Sequence, residues 1–215
     1  MYKLNYHKEH NQDVIEEFIA KYPFSFLSGC DSNQMPVATQ VPMFLERAGE
    51  RKVLRGHIMK NTDHHKAFAE NENVLAVFTG KNTYVSGTWY KNPYTPSTWN
   101  YMSVHVKGKI DFLNDEALED VLRLTSLHFE DQNHQSSTVF DNLPSDFKKR
   151  VMGMIVAFEI TIKEIDTVFK LSQDRDEESY QNIIDKLKNQ DEDGRVIAAE
   201  MEKRAAQLFP NVAKN

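Results

Sequence analysis

The chain has 215 residues, 40% of them apolar and 27% charged, the proportions of an ordinary globular protein with one large domain or a domain plus an appendage. A formal net charge of -6 argues against direct nucleic-acid binding through a lysine- and arginine-rich surface. Cys30 is the one cysteine, which excludes an intramolecular disulfide and a multi-cysteine metal centre and fits a reducing compartment.

The opening MYKLNYHKEHNQD is polar and lacks the apolar run of a signal peptide. No stretch approaches membrane-spanning length, so a cytoplasmic protein is expected. Asn11 or Asp13 caps a first helix, Val14 to Lys21, with Val14, Ile15, Phe18 and Ile19 on one face. Pro23 stops it. Phe24 to Ser28 reads as a strand, Gly29 to Asn33 as a turn and Pro36 to Val41 as a second strand that Pro42 restricts to an edge or an end. Gly49 and Glu50 mark a hairpin turn before a third strand, Val53 to Met59. Asn61 or Thr62 caps a helix over Asp63 to Glu70.

Val74 to Thr79 is an almost unbroken apolar run, the pattern of a strand buried on both faces, and Tyr84 to Ser86 extends its pairing. Tyr101 to Leu113 alternates, with Gly108 as a bend or bulge. Asn114 or Asp115 caps a helix that ends near Phe129, striped by Ala117, Val121, Leu124 and Leu127 or His128. Ser145 caps a short helix over Asp146 to Met152. Ile155 to Ile165 is a further strand, and Thr167 to Leu171 a last short one. Glu177 to Lys214 is charged and helical in pattern, with Gly194 separating two helices. Strands in hairpin-like succession with helices between and after predict a mainly antiparallel α+β fold, an antiparallel barrel with helical additions.

The richest stretch is Thr83 to Gly108, TYVSGTWYKNPYTPSTWNYMSVHVKG, with both tryptophans and four of the eight tyrosines. Flat apolar faces beside Ser86, Thr88, Ser97, Thr98 and Asn100 suit a planar, polar-edged ligand in a partly apolar cleft. A long hairpin whose aromatics pack on the sheet explains the same composition. The second constellation is Gly56 to Lys66, GHIMKNTDHHK. There a strand ends, a polar turn follows and a helix begins, with Lys60, His64 and Lys66 around the helix start: an anion site or a solvated, ordinarily capped turn. His64 and His65 are adjacent, unlike the i,i+4 spacing of helical zinc ligands, so no metal is expected. Ser86-Gly87 lacks the nucleophile elbow, and no Gly-x-Gly-x-x-Gly or phosphate-binding P-loop is present.

Several segments together resemble the PaiB family of FMN-binding negative transcriptional regulators, within the flavin-binding split-barrel group that includes pyridoxamine phosphate oxidases. They are Pro23-Phe24, Pro36 to Pro42, Gly56-His57, Val77 to Gly80, Tyr84 to Tyr90, Thr98 to Tyr101 with Val104-His105, Phe158 to Ile160, and Lys170 to Gln173. Order and spacing hold to about Arg175. Three departures fall around the ligand site that the resemblance implies. Gln40 stands where the family usually has histidine, Asn61-Thr62-Asp63-His64 where it has Asn-Pro-x-Trp, and Ser86-Gly87-Thr88-Trp89 where it has Ser-Pro-Ser-Trp.

The resemblance implies a split β-barrel like that of pyridoxamine phosphate oxidase, flanked by helices, and a homodimer with FMN at its interface. The implied phosphate or ribityl contacts are His57, Lys60, Asn61 and His64; the implied flavin-ring contacts are Ser86, Trp89, Thr98, Trp99 and Asn100. Trp99 and Asn100 are consecutive, so strand alternation sends them to opposite faces and makes one of them structural. The implied domain is 1–175, with 176–215 as a helical extension packed on it. Other readings of the same features are a flavin-dependent oxidoreductase of the pyridoxamine phosphate oxidase type, a haem-handling split barrel, and an interaction domain without a ligand.

Overall fold

The computed structural model describes residues 4–92 and 94–210. Pro93 of the aromatic stretch, the first three residues of the polar opening and the last five of the predicted helical tail lie outside them. Six strands, β1 (Phe24–Cys30), β2 (Pro36–Ala48), β3 (Arg51–Met59), β4 (Asn73–Val85), β5 (Thr98–Phe112) and β6 (Ile155–Lys170), are joined by α1 (Gln12–Lys21), α2 (Asp63–Glu70), α3 (Asp115–Phe129) and α4 (Ser145–Met152). Helices α5 (Glu177–Lys188) and α6 (Glu192–Leu208) follow. The strands close a barrel in the order β1-β2-β3-β6-β5-β4, and the mixed, mainly antiparallel split barrel with flanking helices is the architecture expected. Among the described residues no helix is long and apolar enough to cross a membrane.

The chain forms two compact units. One comprises Glu16–Phe78 and His105–Ile165; the other comprises the residues up to Ile15, Thr79–Val104 and those from Asp166. They are called the barrel unit and the helical unit below.

In the barrel unit β2 changes partner at Pro42. Residues 36–42 pair with β1 and Met43 to Ala48 pair with β3. Pro42 has no N–H to give, and it stands at the hand-over between the two ladders rather than at a strand end. Two glycines let backbones approach closely. A Cβ at Gly56 would lie 2.7 Å from the Pro42 carbonyl and 2.8 Å from Phe158, and one at Gly108 would lie 2.5 Å from both Ile160 and the Thr161 carbonyl. Gly108 thus serves the packing of β5 against β6 inside one continuous strand, not a bend.

Helix α3 buries Leu118 and Val121 against Ile155 and Ala157, with Val151 and Met152 beside them; its buried stripe begins one residue later than the sequence pattern suggested. On β4 the alternation is plain: Val74, Ala76 and Phe78 are buried while Leu75 and Val77 are half-buried. The expectation of burial on both faces therefore holds for one face only.

In the helical unit α5 and α6 form a hairpin with its own core of Tyr180, Ile183, Ile184, Leu187, Ile197, Ala198 and Met201. Gly194 does not divide the two helices. It lies in the first turn of α6, where its N–H donates to Asp191 Oδ1 at 2.9 Å. The break falls at Asn189 to Asp191 because Asp191 is the N-cap. β6 likewise runs unbroken to Lys170 instead of ending at Ile165.

Because Gly108 faces backbone and a β-branched side chain that cannot retreat freely, Gly108→Ala is expected to lower folding stability by about 1–3 kcal/mol. A fall in the urea midpoint checks this.

Candidate functional site

In the barrel unit the end of β3 leads into the turn before α2. His57 pairs with Ala157 across the ladder; its ring is largely buried, its Nδ1 has no hydrogen-bond partner, and burial lowers its pKa below the usual histidine range. The Lys60 N–H donates to the Met154 carbonyl at 2.9 Å, which fixes the turn, and its ammonium has no carboxylate partner among the described residues. Asn61 adopts the left-handed region, φ 66°, a conformation that asparagine tolerates better than most side chains. Its N–H donates to His65 Nδ1 at 3.2 Å.

Thr62 caps α2. Its Oγ1 donates to the Met59 carbonyl at 3.0 Å and accepts from the His65 N–H at 3.3 Å. The His64 N–H donates to Asp63 Oδ1 at 2.7 Å, and its Nδ1 lies 3.0 Å from the same oxygen. His65 packs against Phe112, ring centroids 4.8 Å apart. Burial first, then His64, Lys60 and Lys66, lowers its pKa, and an Nδ1 that accepts from Asn61 belongs to the neutral ring. The two adjacent histidines thus engage different partners. His57, Lys60, Asn61 and His64 fall on one strand end and its turn.

The other five predicted residues lie in the helical unit. Ser86 caps a single 3-10 turn, Gly87–Trp89, and its Oγ lies 2.9 Å from Thr88 Oγ1. The Gly87 N–H donates to Ser97 Oγ at 2.9 Å, and a Cβ at Gly87 would lie 2.4 Å from the Thr95 carbonyl. The loop is therefore pinned at its neck, and only glycine fits there. Trp89 is half-buried.

At the start of β5 the alternation separates neighbours as expected. Trp99 is 54% exposed and meets Tyr84 edge to face at 5.8 Å. Asn100 is 0% exposed; its Oδ1 accepts from Ser172 Oγ at 3.0 Å and its Nδ2 points at Met201 Sδ, 3.5 Å away. Lys170 Nζ donates to Thr98 Oγ1 at 2.5 Å and to the Trp99 carbonyl at 2.6 Å. The motif reading gave Lys170 no role. The signal was its place at the head of Lys170-Leu171-Ser172-Gln173.

For a phosphate-bearing flavin the barrel-unit residues supply a cation at Lys60 and an unpaired buried nitrogen at His57. The helical unit supplies an exposed indole and phenol with hydroxyls at Ser86 and Thr98. An anionic phosphate needs charge-assisted donors, and an isoalloxazine needs apolar faces with polar groups along its edge, so each set by itself has the chemistry that one end of FMN requires.

The family model described as "Putative FMN-binding domain" matches residues 1–164. Protease synthase and sporulation protein PAI 2 of Bacillus subtilis is 29% identical over 191 residues, 89% of this chain and 91% of that protein. Among solved structures, the FAD and heme binding protein of Mycobacterium smegmatis has a TM-score of 0.59 at 15% identity, covering 76% of this chain and 73% of that one. The flavocytochrome Anf3 of Azotobacter vinelandii has a TM-score of 0.54 at 16% identity, covering 84% and 78%. These two show the fold.

His57 and His65 favour the neutral ring in the folded chain. With its folded pKa below the unfolded value of 6.5, each takes up its proton in the unfolded state first. Stability is thus full above pH 6.5 and is lost as pH falls from there toward the folded pKa. Urea titrations between about pH 7.5 and pH 5.5 are expected to show this decline, with a shallower slope in His57→Gln.

Proposed function

We propose that this chain, which belongs to the FMN-binding domain family, works as an FMN-dependent negative regulator of the PaiB type, a cytoplasmic homodimer with FMN at the interface. FMN is the cofactor of the family, and when bound it supplies one- and two-electron redox chemistry. Every other role belongs to the chain.

In this reading Lys60 gives the phosphate a fixed positive charge, and His64 and Asn61 add polar contacts at the turn. His57 receives a hydrogen bond or gives one through its buried Nδ1. Ser86, Trp89, Thr98 and Trp99 form the ring end. Asn100 belongs to that end as a support: with both ends of its amide engaged inside the protein, it holds Trp99 outward rather than touching the ligand. The observation that carries the assignment is the largely buried His57 nitrogen without a partner, three residues before a lysine that has no carboxylate partner among the described residues. Residues 1–175 make the FMN-binding domain and 176–215 a helical extension packed on it. Its anchors include the Lys91 N–H to Ser179 Oγ at 2.9 Å and Thr83 Oγ1 to Gln190 Oε1 at 3.3 Å.

The dimer reading rests on the outer face of the barrel unit. Phe24 is 60% and Phe26 42% exposed. Phe26 pairs with Val77 on β4, and Phe24 with Pro42 on β2. The half-buried Leu75 and Val77 continue this apolar face, and such a contiguous patch marks an association surface. With a formal net charge of -6, regulation through the ligand and a partner is favoured over direct DNA contact.

FMN titration by flavin fluorescence tests the site. Lys60→Ala is expected to weaken binding by about 1.5–3 kcal/mol, the worth of a charged hydrogen bond, and Trp99→Phe to alter the flavin absorption envelope without a large drop in the melting temperature of the apo protein. Unchanged affinity in Lys60→Ala takes that residue out of the site. Light scattering tests the assembly: twice the 24.9 kDa chain mass is expected for the native protein, and the single-chain mass for Phe26→Asp.

A further inference from the structure

Two buried polar groups in the helical unit have no acceptor among the described residues. The Tyr90 hydroxyl and Arg175 Nε are both shielded from solvent, and neither makes a hydrogen bond. They belong to side chains in contact, the guanidinium carbon lying 5.0 Å from the centre of the Tyr90 ring. Tyr90 is 7% exposed. A buried donor left unpaired costs about 1–3 kcal/mol, and native interiors leave few. Two such groups on side chains in contact, one a phenol O–H and the other a guanidinium N–H, call for an acceptor that the described residues do not supply.

The surrounding charges say what kind of acceptor. Arg175 Nη2 pairs with Asp174 Oδ2 at 3.2 Å. The Lys170 ammonium feels both Asp174 and Arg175, and burial above all lowers its pKa. His7, facing Lys170 and Asp174, is pushed toward its neutral form chiefly by burial. Burial raises the Tyr90 pKa, with Arg175, Asp174 and Tyr84 as lesser influences, which keeps the phenol protonated as a donor. Two cations against one carboxylate leave a single positive charge, which a monoanion balances and a phosphate dianion exceeds. The Arg175 side chain is 29% exposed, so one flank of the pair is open to solvent.

We propose that Tyr90 and Arg175 form a binding subsite for the carboxylate of a small organic acid, the phenol O–H and the Nε–H both donating to it. A carboxylate is acceptor-only and takes several donors at once, and its hydrogen bonds to a guanidinium are charge-assisted. The subsite uses none of the residues assigned to FMN and stands whether or not that assignment does.

The test is calorimetric titration of the full-length protein with benzoate and with acetate at constant ionic strength, with inorganic phosphate as the comparison. Saturable carboxylate binding is expected, weakened about tenfold or more in both Tyr90→Phe and Arg175→Gln, while FMN titrations of the two variants match the native protein. Tyr90→Phe keeps the ring and removes an unpaired buried hydroxyl, so it is expected to melt no lower than the native protein. Loss of binding in that variant is then not loss of fold. The proposal is overturned if neither carboxylate saturates, if Tyr90→Phe binds as the native protein does, if phosphate is preferred, or if a crystal grown with benzoate holds only a water between the two donors.

Discussion

The buried amide of Asn100 sets the geometry of the helical unit. It accepts from Ser172 just beyond β6 and points its nitrogen at Met201 in α6, so one side chain ties three elements together at 0% exposure. Ser172 holds a left-handed backbone, φ 63°, a conformation that costs a non-glycine residue on the order of 1–3 kcal/mol and persists only where its surroundings impose it. The bond to Asn100 is part of that imposition. Because adjacent strand residues face opposite ways, burying Asn100 turns Trp99 outward, and Lys170 fixes the backbone there through the Trp99 carbonyl. The exposed indole is therefore held on a rigid strand rather than on a mobile loop.

A different constraint governs the barrel unit, that of backbones brought close. Gly56 and Gly108 each face a neighbouring strand at a distance no Cβ tolerates, and Pro42 stands where β2 exchanges one partner for another. Tight closure on the inside leaves the outer face of β1 and β4 with Phe24, Phe26, Leu75 and Val77, more apolar area than one chain covers. The inner face explains the fold, and the outer face is what the proposed association with a second copy rests on.

Much of this was legible from residues. The caps at Thr62 and Asn114, the strand ends at Met59 and the alternation of Trp99 and Asn100 follow from short-range rules, and the structure follows them. The misses have a common cause in long-range contact. Gly194 reads as a breaker because glycine is a poor helix former, yet the cap at Asp191 starts the helix before it and the Leu187 carbonyl and Gln190 crowd its missing Cβ at 3.0–3.1 Å. Gly108 reads as a bulge, but only the register of β6 reveals what it approaches. Val74 to Thr79 reads as doubly buried because hydropathy cannot distinguish a core from a half-buried outer face. Lys170 and the pairing of Tyr90 with Arg175 were invisible because their partners are distant in sequence.

At the start of α2 the anion end of the proposed site has to rely mainly on side chains. A helix N-terminus attracts anions through its free N–H groups, but in this chain two of those groups are already engaged. The His64 N–H is taken by Asp63, and the His65 N–H by Thr62. The Asp63 carboxylate also keeps its charge to low pH, mainly because of that backbone bond from His64, and so repels an incoming phosphate. What remains is the ammonium of Lys60, which has no carboxylate partner among the described residues, and the nitrogen of His57. Asn61-Thr62-Asp63-His64 stands where the family usually has Asn-Pro-x-Trp, so under the proposed reading this turn offers a more polar, side-chain-built anchor in which Lys60 carries the positive charge.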